Sequence, residues 1–210
     1  MPMSHETHSP LEPPDKPLLI VLSGLSGGGK DTVLAGLRQS GLPLEISISV
    51  TTRPRRVNEK DGVDYHFIST SKFQEMIASN QLLEWAIVYG NRYGIPREPV
   101  RQALKNGKDV IVKIDVQGAA TIKKILPQAV FIFLATPYLE ELERRLKQRR
   151  TETPAELELR LKTAADELEK LSMFDYIVIN RPGEIDRAVA DIKAIIAAEK
   201  CRVTPRELNI

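Results

Sequence analysis

The run Gly24-Leu25-Ser26-Gly27-Gly28-Gly29-Lys30-Asp31-Thr32 follows directly on the apolar stretch Leu18–Leu22 and leads into a segment with helical spacing. An unbroken apolar stretch of that length suits a strand buried on both faces. Strand, glycine-rich turn and helix, in that order, form the setting in which this pattern binds nucleoside triphosphates. The glycines let successive backbone N–H groups turn inward around a phosphate. The helix N-terminus adds the positive end of its dipole, and Lys30 brings a point charge to the β- and γ-oxygens. Gly24, Leu25, Ser26, Gly27, Gly28, Gly29, Lys30, Asp31 and Thr32 are therefore candidate nucleoside-triphosphate-binding residues, and Lys30 is also a catalytic candidate. The strict pattern places Ser or Thr after the lysine, where its hydroxyl meets Mg²⁺. Asp31 stands there instead, a candidate Mg²⁺ ligand that adds negative charge beside the phosphates.

Further apolar runs at Val110–Ile114, Val130–Leu134 and Tyr176–Ile179 each follow a helical segment. Such alternation predicts an α/β fold, a parallel sheet with helices on both faces. Ser71 with Gln74, and Thr153 with Pro154 and Glu156, fit helix starts, while Asn106-Gly107 fits a helix stop. Residues 45–96 mix short alternating stretches with one short helix and read as an inserted lobe. Residues 140–165 are charged, helical and rich in arginine, as a mobile lid would be. The core then comprises 17–44, 97–139 and 166–200, all within one domain of ordinary size, with 201–210 a tail.

The 30 Lys and Arg against 28 Asp and Glu give a formal net charge of +2, too little to gather nucleic acid or a membrane surface. Any anion site has to be built locally. No apolar run approaches the roughly 20 residues of a spanning helix. Residues 1–16 are polar, hold four of the 14 prolines and lack the apolar run of a secretory signal, so they read as a disordered leader. Cys201 is the only cysteine, which excludes an intrachain disulfide and points to the reducing cytoplasm.

Beyond the phosphate loop, five more motifs follow in order: Ser49-Val50-Thr51-Thr52-Arg53-Pro54-Arg55-Arg56, Asp61-Gly62-Val63-Asp64-Tyr65-His66-Phe67, Glu84-Trp85-Ala86, Gly90-Asn91-Arg92-Tyr93-Gly94 and Ile114-Asp115-Val116-Gln117-Gly118. With that series the chain resembles the guanylate kinase family from about Leu18 to Ala198. The resemblance implies a P-loop NTPase-type sheet, a GMP-binding lobe, a helical lid, ATP and Mg²⁺ as cofactors, and GMP or dGMP as acceptor, in a monomer or a homodimer. It implies that Ser49, Arg53, Arg56, Tyr65 and Tyr93 hold the GMP phosphate and that Glu84 accepts from guanine N1–H and the exocyclic amine. Asp115 becomes the strand-end acid of the Mg²⁺ shell or a partner of Arg53. Arg149 and Arg160 become lid arginines, and Asn180 an adenine-side residue. The chemistry agrees: arginine forks with Tyr and Ser hydroxyls suit a phosphate dianion, and two adjacent donors suit a carboxylate. Phosphoryl transfer needs positioning and charge neutralisation rather than a covalent intermediate.

Four positions depart from the family pattern: Asp31, a proline one place early at Pro54, Ile95 where a Ser or Thr usually bonds guanine O6, and Lys113 in place of an acid. Lys113 and Asp115 alternate onto one face of their strand. If that strand neighbours the first, the Lys113 ammonium is expected within about 6 Å of the Asp31 carboxylate, room for one bridging water. Two rival readings share the fold, a ribose 1,5-bisphosphate phosphokinase and a non-catalytic guanylate-kinase-like binding module. A nucleic-acid-binding protein comes third.

Overall fold

The computed structural model describes residues 16–148 and 154–208. The elements run β1 (Leu19–Gly24), α1 (Lys30–Gln39), β2 (Leu44–Ile46), β3 (Val50–Thr51), β4 (His66–Phe67), α2 (Thr70–Ala78), β5 (Leu82–Val88), β6 (Asn91–Pro96), α3 (Arg97–Lys105), β7 (Asp109–Lys113), α4 (Val116–Ile125), β8 (Val130–Ala135), α5 (Leu139–Gln148), α6 (Pro154–Glu169), β9 (Tyr176–Ile179) and α7 (Ile185–Lys200).

The expected parallel sheet is present, in the order β2-β7-β1-β8-β9. Along β1 the side chains alternate between two cores. Leu18, Ile20 and Leu22 pack with Val33, Leu37 and Ile192 of α1 and α7, whereas Leu19 and Val21 pack with Val100 and Ile122 of α3 and α4. Both sets are almost fully buried, so each side chain contributes roughly 1.5–3 kcal/mol through loss of water contact. That is why β1 reads as a continuous apolar run. Phe133, Leu142, Leu146 and Ala164 form a third cluster that seats α5 and α6 over one end of the sheet.

Residues 50–96 add a four-stranded sheet in the order β4-β3-β6-β5, with Val50, Phe73 and Leu82 as its own small core. Two local expectations change. β2 pairs with β7 in parallel, Ile46 opposite Ile111, so Glu45 and Ile46 belong to the core sheet rather than to the lobe. The cap of α2 is Ser69, whose hydroxyl accepts from the Lys72 N–H at 3.1 Å; Ser71 lies inside the first turn, its hydroxyl 2.9 Å from that of Ser69. At the other end of the molecule the tail docks, with Arg206 paired to Glu199 at 2.6 Å and to Asp175 at 3.4 Å.

Candidate active site

A cleft of about 560 Å³ is walled by the phosphate loop, the second sheet, the C-terminal end of β7 and α6. Open parallel sheets bind ligands at this end, where strands hand over to loops and helices. On the donor side β1 ends at Gly24, and the loop turns into α1 through Gly29 with φ +95°. A Cβ at Gly29 would lie 2.3 Å from the Asn180 side-chain nitrogen, so position and handedness both demand glycine. Asn180 donates from that nitrogen to the Gly28 carbonyl at 2.8 Å and so braces the loop from behind. Arg145 braces it too, donating to the carbonyls of Gly28 and Asn180 at 3.3 and 2.8 Å. Its orientation comes from Glu141, whose carboxyl is held down to about 2 by its hydrogen bonds with Arg144 and Arg145.

Lys30 folds over the loop and donates to the carbonyls of Gly24 and Leu25 at 2.7 and 3.1 Å. Burial pushes its pKa down, opposed by Glu167 and Asp31. Glu167, near the end of α6, was not anticipated from the sequence. It accepts from the Ser26 N–H at 3.2 Å, and burial raises its pKa against the pull of Lys30. Arg160, also on α6, donates to the Ser26 hydroxyl at 2.9 Å and stacks 4.8 Å from the centre of the Tyr89 ring. The lid helix therefore touches both the phosphate loop and the lobe. Arg149 lies outside the described residues. Leu25 acts through its backbone while its side chain joins the third core cluster, and Thr32 is exposed on α1 away from the cleft lining.

Across the cleft, Arg53 donates to the Tyr93 hydroxyl at 3.2 Å and its guanidinium stands 5.6 Å from the Tyr65 ring; the two tyrosine rings meet edge to face at 5.9 Å. Ser49, Arg56, Tyr65 and Tyr93 line the same wall. Glu59, which no sequence pattern singled out, pairs with Arg53 at 2.6 Å and accepts from the Arg56 N–H at 2.8 Å, holding this turn together despite the early Pro54. Farther along the wall Glu84 is 5% exposed, and its Oε2 has no hydrogen-bond partner. Burial, and then Asp115 nearby, push its carboxyl up to about 8. Gly118 makes room for it, because a Cβ there would lie 2.7 Å from Oε2. Ile95 pairs with Glu84 across β5 and β6, on the same face of the sheet, and is 1% exposed.

The two acids that the sequence offers to the Mg²⁺ side, Asp115 and Asp31, are both engaged. Asp115 caps α4 by accepting from the Gly118 N–H at 3.0 Å, while Arg53 pairs with Glu59 and the Tyr93 hydroxyl instead. Asp31 accepts from Lys113 at 2.6 Å, a direct contact inside the expected range, because Leu22 of β1 and Lys113 of β7 are register partners. No cluster of three or more His, Cys, Asp or Glu suited to a metal occurs among the described residues. Mg²⁺ needs no such cluster in phosphoryl-transfer sites, since nucleotide phosphates and water complete its shell around one or two carboxylates. Asp31, exposed at the cleft mouth, offers one.

A parallel sheet feeding a phosphate loop, faced by an arginine- and tyrosine-lined anion pocket and an arginine-bearing helix, defines a P-loop phosphotransferase. Known proteins narrow the class. A profile of the guanylate kinase family matches residues 16–199. A guanylate kinase of Caldanaerobacter subterraneus subsp. tengcongensis is 48% identical over 186 residues, 89% of each chain. The guanylate kinase 2 of rice, chloroplastic/mitochondrial, is 41% identical over 96% of this chain and 71% of its own length. The crystal structure of guanylate kinase from Anaplasma phagocytophilum superposes with a TM-score of 0.74 at 31% identity, covering 90% of this chain and 88% of that one. The chain belongs to the guanylate kinase family.

Proposed function

We propose that the chain transfers the γ-phosphoryl group of ATP to GMP, giving ADP and GDP, with dGMP as a second acceptor. One observation carries the guanine reading: Glu84, a buried carboxyl in the cleft wall whose Oε2 lacks a partner. Guanine N1–H and the exocyclic amine present two adjacent donors to such a group, which adenine and the pyrimidines cannot match. The family and the intact phosphate loop support catalysis over peptide binding, and Glu84 supports a base-bearing acceptor over ribose 1,5-bisphosphate.

Lys30, released from its two carbonyls, takes the β- and γ-oxygens, and the loop N–H groups cradle them. Arg53 and Arg56, with Ser49, Tyr65 and Tyr93, hold the acceptor phosphate, one of whose oxygens bonds to the γ-phosphorus as the bond to the β–γ bridging oxygen breaks. Arg160, already at Ser26, stands where charge builds on the transferring group, and Arg149 is the second lid arginine. Asp31, together with the nucleotide phosphates, would hold Mg²⁺, which would supply charge neutralisation there. Asp115 fixes the start of α4 beside Glu84, and Asn180 sets the donor loop. On this reading both subsites come from one chain, so a monomer suffices and a homodimer is compatible. No helix of the described residues is long and apolar enough to cross a membrane, and the lone Cys201 accords with the cytoplasm. The decisive assay offers GMP, dGMP, AMP, CMP, UMP and ribose 1,5-bisphosphate, each with Mg-ATP, and reads ADP. GMP should be the best acceptor; a preference for the bisphosphate, or no turnover at all, overturns the reading.

A further inference from the structure

Lys113 belongs to neither half of the machinery described above, yet it lies between them. It closes β7, and its ammonium reaches 2.6 Å from Asp31, the residue after the phosphate-loop lysine. It also lies 4.2 Å from the centre of the Tyr65 ring, which borders Tyr93 and Arg53 in the acceptor wall. The lysine side chain is 12% exposed whereas that of Asp31 is 74% exposed. A buried cation is thus paired with an anion that water largely surrounds. An ammonium cut off from water needs a counter-charge, and leaving one unpaired is costly. A carboxylate so exposed is screened and holds its partner weakly. A phosphate dianion entering the acceptor pocket brings more charge than that single carboxylate. The lysine stem is long and flexible enough to turn toward it, with its three donors directed wherever oxygens arrive.

We propose that Lys113 is a phosphate-binding residue of the acceptor subsite, kept on Asp31 while the cleft is empty and passed to the acceptor phosphate on binding. The inference rests on the reading of Tyr65, Tyr93 and Arg53 as the acceptor pocket. It gives the paired departures at positions 31 and 113 a specific task. The lysine adds a built-in cation at the junction of the two subsites, and the aspartate prevents that cation from standing unpaired between turnovers.

The test compares GMP with guanosine, which lacks the phosphate, by equilibrium titration without ATP or Mg²⁺. Loss of one charge-assisted contact should weaken GMP about 10- to 100-fold in Lys113→Met while leaving guanosine within about twofold. Lys113→Arg should keep most of the preference for GMP. Asp31→Asn, which removes the competing carboxylate, should tighten GMP and leave guanosine alone. Guanosine binding also reports whether each variant is folded. Equal weakening of both ligands by Lys113→Met, or no weakening of GMP, overturns the phosphate contact. Weaker GMP binding in Asp31→Asn overturns its storage on Asp31. If the wild-type protein itself prefers GMP no more than guanosine, the acceptor-pocket reading has failed; if it does and Lys113→Met does too, only the present inference has.

Discussion

On the proposed mechanism Lys30 and Arg53 each act on phosphate charge, and neither belongs to the buried core clusters. Lys30→Ala and Arg53→Ala should therefore each lower kcat/KM by about 100- to 1,000-fold with little change in Tm, as for loss of one preorganised contact. Glu84 gives a pH signature. With its carboxyl pushed up to about 8, the neutral form prevails at pH 7, and the guanine donors need the anion. Guanosine affinity should rise toward tenfold per unit between pH 6 and about 8 and then level off, and Glu84→Gln should abolish the slope. The stability sign follows from the same shift. Between 4.5 and about 8 the folded protein keeps a proton that the unfolded chain has lost, so this group makes stability fall as pH rises through that window. Glu84→Gln should flatten the fall in a series of thermal melts. Ile95 is the register partner of Glu84 on the neighbouring strand, buried in the core behind the cleft wall. Ile95→Thr should lower the GMP KM and raise the GMP-to-AMP ratio about fivefold, close to one net hydrogen bond of about 1 kcal/mol, while the lost packing lowers Tm. An unchanged ratio would mean that another group reads O6.

Between elements, α1 and β7 meet at Asp31 and Lys113, and a double-mutant cycle measures what that contact does for turnover. Lys113→Asp and Asp31→Ser should each lower activity, and the pair together should recover part of the loss; additive losses would mean that the two side chains act separately. This contact was legible in the sequence because both residues sit in short motifs whose strands are neighbours in any sheet of this type. The buried strands were legible for a similar reason, since β1, β7 and β8 are apolar on both faces. Ser69 was harder to find, because Ser69, Thr70 and Ser71 are all plausible caps and tertiary packing chooses among them. Glu59, Tyr89 and Glu167 had no local signature. Glu167 meets Ser26 across 141 positions of sequence, and Tyr89 meets Arg160 only because the lobe and α6 face each other over the cleft. Such residues become visible only once the elements are packed.

At the scale of the whole molecule, the last described residues fasten to the first. Arg206 binds Glu199, which also accepts from the Tyr176 hydroxyl at 2.7 Å, and the Glu199 side chain is 1% exposed. Removing Arg206 leaves much of that buried charge uncompensated, so Arg206→Ala should cost about 3 kcal/mol and lower Tm by several degrees with kcat nearly unchanged. A large fall in kcat at a temperature where the variant is folded would show that the tail reaches the chemistry. Lys16 also pairs with Glu207 at 2.8 Å, and Lys200 donates to the Lys16 carbonyl while bridging to Asp109 at the start of β7. These contacts lie where the parallel strands begin, opposite the edge that carries the cleft. The fold is in effect a nearly closed ring, with its seam on the idle side. A short linker across that seam, with a new opening cut at an exposed turn such as Gly41, would reorder the chain without moving one side chain of the cleft, because connectivity there is a matter of bookkeeping and geometry is not.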